Sequence, residues 1–210
     1  MELHRKNVLK GYNIILYFAG SMIMNEPTEE CVIDFWKNGK LRNLPVSSSN
    51  PRFLKAAELL RDSCNDKTKC KQDLAQDFYR LFSVCGLPLA PAYASIYLKR
   101  NGNPPESAEK VSKFYESYGW KYNSRTKIGD DHLGVELLFL TGLIDKYMIL
   151  DDEPCRSEMR NEIRRFIDHY LLSWLAYWNE DVQEHAKTLC YRGIGTLIQA
   201  SVEDLHGLFS

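Results

Sequence analysis

Apolar residues recur three and four positions apart along most of this chain. Val8, Tyr12, Ile15, Leu16, Ala19 and Met22 fall on one face of a helix, which the stretch Asn25-Glu26-Pro27 stops. Thr28 and Glu30 ahead of Val32, Phe35 and Trp36 predict a second helix, closed by Gly39. A polar linker at 46–50 leads to Pro51 in the first turn of a third helix bearing Phe53, Leu54, Ala57 and Leu60. The same periodicity predicts helices over 67–82, 106–118, 131–148 and 158–178, and another from 180 to the end with a break near Gly193. No segment alternates as a strand would. The pattern predicts an all-α fold, a single helical-bundle domain over residues 1–210.

One stretch breaks the periodicity. Residues 85–98, CGLPLAPAYASIYL, set Pro88 and Pro91 among apolar and aromatic residues, and prolines three apart preclude regular helix. Loops normally run over the wet surface, so a loop this apolar must be covered or must cover something. A second stretch, IGDDHLGVELLFL at 128–140, crowds two aspartates, a histidine and a glutamate onto the threshold of an apolar run.

Composition narrows the function classes. With 27 Lys and Arg against 28 Asp and Glu, the net charge of -1 gives no global field for a polyanion, so nucleic acid is not an expected partner. The six cysteines show no CxxC and read as reduced thiols, several of them core filler. The apolar stretch at 14–24 is too short to span a bilayer and makes a poor secretory signal, so the expected location is the cytoplasm, without membrane insertion.

The polar residues at 130–136 admit several roles. Asp130 or Asp131 suits a helix N-cap, worth roughly 0.5–2 kcal/mol. That leaves His132 and Glu136, spaced i and i+4 on one face. One chemical reading is a small helical metal-dependent hydrolase using Asp130, Asp131, His132 and Glu136. Against it, no Cys or His partners stand at suitable spacing elsewhere, so neither a metal nor a cofactor is expected. Asp168-His169 reads as helix surface, and Lys67, Lys69 and Lys71 as solvated. Tyr170, Trp174 and Trp178, four apart, read as core. GIGTLI at 193–198 lacks the third glycine of a dinucleotide fingerprint and reads as a helix with two tightly packed or bending positions.

Taken in order and spacing, these segments resemble the TorD/DmsD family of redox-enzyme maturation chaperones. YRLF at 79–82 followed by PAYASIYL at 91–98 resembles that family's aromatic helix end and proline-bearing loop. GDDHLGVELLFL at 129–140 resembles its Pro-x-Asp-His signature, and YLLSWLAYW at 170–178 its late tryptophan helix. Gly129 stands where the family has proline, and Pro-Ala-Tyr where a common form has two prolines before the aromatic. The resemblance implies an all-helical, non-enzymatic cytoplasmic chaperone that binds the twin-arginine signal peptide of a molybdenum-containing oxidoreductase until its cofactor is inserted. It further implies a peptide site at Pro91, Tyr93, Ser95, Tyr97, Asp130, Asp131, His132 and Glu136. There Asp131, with Asp130 or Glu136, would pair guanidinium groups, Tyr93 and Tyr97 would offer aromatic faces, and His132 would orient Asp131 or sense protonation near neutral pH. The alternative is that Asp131 and His132 tie the proline loop to the helix start and touch no ligand. A monomer and a domain-swapped dimer are both compatible with such helices.

Overall fold

The computed structural model describes residues 2–32, 43–63, 67–83, 88–100, 107–123 and 128–210. Its helices are α1 (Glu2–Met24), α2 (Glu29–Val32), α3 (Pro51–Arg61), α4 (Lys67–Phe82), α5 (Ala94–Arg100), α6 (Ser107–Ser117), α7 (Leu133–Ile149), α8 (Glu153–Phe166), α9 (Leu175–His185) and α10 (Leu189–Phe209). A π-helical turn, Ile167–Leu171, follows α8. Among the described residues there is no strand, only an isolated bridge between Tyr93 and His132.

Two helices are buried nearly all round, which places them at the centre. Residues 193–202 of α10 are buried without interruption, and so are residues 133–137 of α7. α10 packs against α3, α1, α9 and α8, while α7 packs against α1 and α8. α1 and α7 cross where Gly20 meets Gly134: a Cβ on Gly134 would collide with the Met24 side chain and lie 3.2 Å from the Gly20 carbonyl oxygen. Trp174 and Trp178 are fully buried in the core, while Tyr170, packed against Phe114 and Phe166, is partly buried at its edge.

Several boundaries differ from the sequence expectation, each for a local reason. α5 begins at Ala94, inside the stretch expected to be loop, because its first backbone N–H groups are satisfied from outside, as described below. The helix expected over 158–178 begins earlier, where Asp152 caps and Pro154 occupies the first turn, and it gives way to the π turn before α9. The break in the last helix falls not at Gly193 but at residues 186–188. There the buried Asp77 carboxylate accepts from the Lys187 and Thr188 N–H groups and from the Thr188 hydroxyl. Gly193 and Gly195 lie inside α10, where Leu60 and Asn179 approach too closely for a side chain. In α3 the buried positions are Phe53, Ala56 and Leu60, and Leu54 faces out. Cys70 is disulfide-bonded, which corrects the expectation of six reduced thiols; Cys155 and Cys190 are in no disulfide. The expectations for residues 33–42, for 84–87, for the polar turn at 101–106 and for the Lys67 and Lys69 side chains lie outside the described residues.

Candidate functional site

The two irregular stretches meet. The Leu133 N–H donates to the Ala92 carbonyl at 2.8 Å and the Ala94 N–H to the Asp131 carbonyl at 3.0 Å, a short antiparallel stitch between loop and helix start. Asp131 Oδ2 accepts from the Ser95 N–H at 3.1 Å. Asp131 thus satisfies two of the orphan donors that open α5, a capping role supplied from another part of the chain. Further polar groups of the loop are paired: the Leu89 and Ala90 N–H groups donate to the Arg80 and Leu81 carbonyls, and the Trp178 indole N–H donates to the Ala90 carbonyl at 3.3 Å. Satisfied in this way, Ala90, Pro91 and Ala92 lie buried although they form a loop.

His132, not an aspartate, is the N-cap of α7. Its Nδ1 accepts from the Gly134 N–H at 3.0 Å, so the neutral ring carries its proton on Nε2. Burial lowers its pKa to about 4, which keeps it neutral. The ring stands edge-on to Tyr93 with centroids 4.9 Å apart. One turn on, Glu136 is fully buried. Desolvation first, then the charge of Asp131, raises its pKa well above the carboxylate range, so it sits as a neutral acid. Its Oε2 has no hydrogen-bond partner among the described residues.

Asp130 turns the other way. Its Oδ2 accepts from the Ser112 hydroxyl at 2.7 Å and its carbonyl from the Tyr115 hydroxyl at 3.1 Å, which ties α6 to the same corner. Asp130, Asp131 and His132 therefore serve three separate structural tasks rather than converging on one point. Among the described residues no group of three or more His, Cys, Asp or Glu is placed to hold a metal ion.

Of the eight residues singled out by sequence, all belong to this one corner, but their exposure divides them. Asp131, His132 and Glu136 are 5%, 5% and 1% exposed, and Tyr97 is 1% exposed, stacked on Trp174 with its hydroxyl donating to Asp181 at 3.0 Å. In this conformation none of these four presents a charge or a ring to solvent. Tyr93, Ser95 and Asp130 are partly exposed and form the accessible part of the corner. Sequence reasoning missed Gly134, whose lack of a side chain lets α1 lie against α7, and Asp181, which anchors Tyr97; only the Gly in the DHLG run carried a signal.

The family model described as nitrate reductase delta subunit matches residues 49–179, a span that contains both the proline loop and the Asp-Asp-His corner. The chain belongs to this family. Its relatives include the chaperone protein TorD of Vibrio vulnificus strain YJ016, 28% identical over 176 residues and 81% of each chain. TorD of Vibrio parahaemolyticus is 26% identical over 190 residues and 88% of each chain. TorD of Photobacterium profundum is 27% identical over 165 residues, 77% of this chain and 76% of that one. The resemblance to TorD-type chaperones noted in the sequence is thereby borne out.

Proposed function

We propose that this chain is a cytoplasmic maturation chaperone that acts by binding, not by catalysis. Its ligand is the twin-arginine signal peptide of a molybdenum-containing oxidoreductase, held until cofactor insertion and folding are complete. The observation that carries the reading is the alignment of relatives named as TorD chaperones with about four-fifths of the chain, joined to a family match that spans both signatures. In keeping with it, no helix among the described residues is long and apolar enough to cross a membrane.

The peptide site we propose is the proline-loop corner, with its residues in two roles. Tyr93 and Ser95 on the loop and Asp130 beside it are the accessible groups that meet the peptide, Asp130 offering a carboxylate to guanidinium. Pro91, Tyr97, Asp131, His132 and Glu136 lie beneath and hold the loop in place. Coexpression of the tagged chain with molybdoenzyme precursors tests the function. The expected result is copurification of one precursor that is lost when its leader is deleted; retention of the leaderless enzyme at full yield would contradict the reading.

A further inference from the structure

The outward face of α1 carries a pattern that packing within the chain does not require. Leu3, Asn7, Lys10, Ile14, Tyr17 and Ser21 stand alternately four and three positions apart, the spacing that keeps one seam of a helix turned toward a second helix. The other faces of α1 already pack on α7, α10 and α4. On the seam, Leu3, Ile14 and Tyr17 are 74%, 60% and 65% exposed. Large apolar side chains aligned in this way on a surface mark a contact with another molecule.

Beside the seam, α7 completes a groove of about 470 Å³, lined by Ile14, Tyr17, Phe18 and Ser21 of α1 and by Thr141 and Asp145 of α7. Asn13 ties the two walls: its Nδ2 donates to the Asp145 carboxylate at 2.8 Å and to the Thr141 carbonyl at 3.2 Å. A side chain at Gly142 would meet nothing within 4 Å, so the α7 wall is open to an approaching helix. Lys10 and Asp145 are exposed, and among the described residues neither is in an ion pair.

We propose that this face pairs with the same face of a second copy, the two α1 helices antiparallel about a two-fold axis level with residue 12. Charge decides the direction. A parallel pair would set Lys10 against the partner's Lys10, whereas the antiparallel pair lays the Lys10 stem on the partner's Ile14 and directs its ammonium toward the partner's Asp145. The same register sets Tyr17 against the partner's Asn7 and Leu3 against the partner's Ser21. Each contact occurs twice, as an isologous interface requires. The 23 residues of α1 make a strip about 34 Å long. With the exposed edge of α7 the strip is about 20 Å wide, so each copy contributes roughly 700 Å², close to the ~800 Å² per partner of a standard interface. No element is exchanged, which separates this dimer from a domain swap.

Sedimentation velocity of the full chain over about 1 to 100 μM tests the pairing. We expect the mass to rise with concentration from that of one chain toward that of two. Ile14→Glu and Tyr17→Glu should each weaken association about tenfold or more with unchanged melting, since both side chains are exposed. Lys10→Glu and Asp145→Lys should each weaken it as well, and the two together should restore it. That swap keeps the test decisive should an apolar variant melt early. A chain monomeric throughout, a dimer indifferent to Ile14→Glu and Tyr17→Glu, or a charge swap that restores nothing would overturn the proposal. No peptide is present in these runs, so the result is separable from the fate of the chaperone reading.

Discussion

Burial sets two residues of the corner against each other as pH changes. His132 is held at a pKa of about 4, below its free value of 6.5, so unfolding takes up a proton and stability falls as pH drops through that window. Glu136, faced by Asp131, Tyr115 and Tyr170, is held above its free value of 4.5. Unfolding there releases a proton, and stability falls as pH rises from 4.5 toward the folded value. Between 4.5 and 6.5 the two slopes oppose. Urea unfolding of wild type and Glu136→Gln at a series of pH values from about 4.5 upward checks this. Wild type should lose stability relative to Glu136→Gln as pH rises above 4.5; a difference between the two that does not change with pH would refute a raised Glu136 pKa. The sequence made His132 and Glu136 visible as neighbours on a helix face. It did not show that both would be buried, because burial depends on what the proline loop and the aromatic residues of α6 and the π turn place over them.

At the scale of elements, α5 depends on a residue 36 positions away. Asp131 accepts from the Ser95 N–H and its carbonyl from that of Ala94, so Asp131→Ala removes the side-chain half of the cap and should cost about 1 kcal/mol. We expect a lowered melting temperature for Asp131→Ala with peptide binding retained well below it. Unchanged melting with lost binding would instead make Asp131 a direct peptide contact. The periodicity located α4 to the residue and α3, α6 and α7 within two positions, but it ran α8 and α9 together over 158–178 and began the last helix at 180 rather than 189. Where backbone N–H groups are satisfied from elsewhere in the chain, by Asp131 at α5 and by Asp77 just before α10, the distant carboxylate leaves no local mark. The π turn was equally invisible: Tyr170, Trp174 and Trp178 keep a helical spacing straight through it.

At the scale of the molecule, the all-α class followed from the absence of alternation, whereas the central position of α7 and α10 was seen only in the structure. We propose that the chain folds as one unit, because α10 packs against elements from both ends of the sequence, α1 and α3 on one side and α8 and α9 on the other. Calorimetric and van't Hoff enthalpies of thermal unfolding should then agree; two resolved transitions would divide the chain. The function was legible only through paired signatures, since neither the loop nor the Asp-His start specifies a ligand by itself. The most direct test is titration of the purified chain with twin-arginine signal peptides of molybdoenzymes, each beside its Lys-Lys version. Both versions carry the same charge, so a preference reports guanidinium geometry. The account predicts saturable binding of one peptide that weakens in the Lys-Lys form; no binding to any such peptide, or equal binding of both forms, would contradict it.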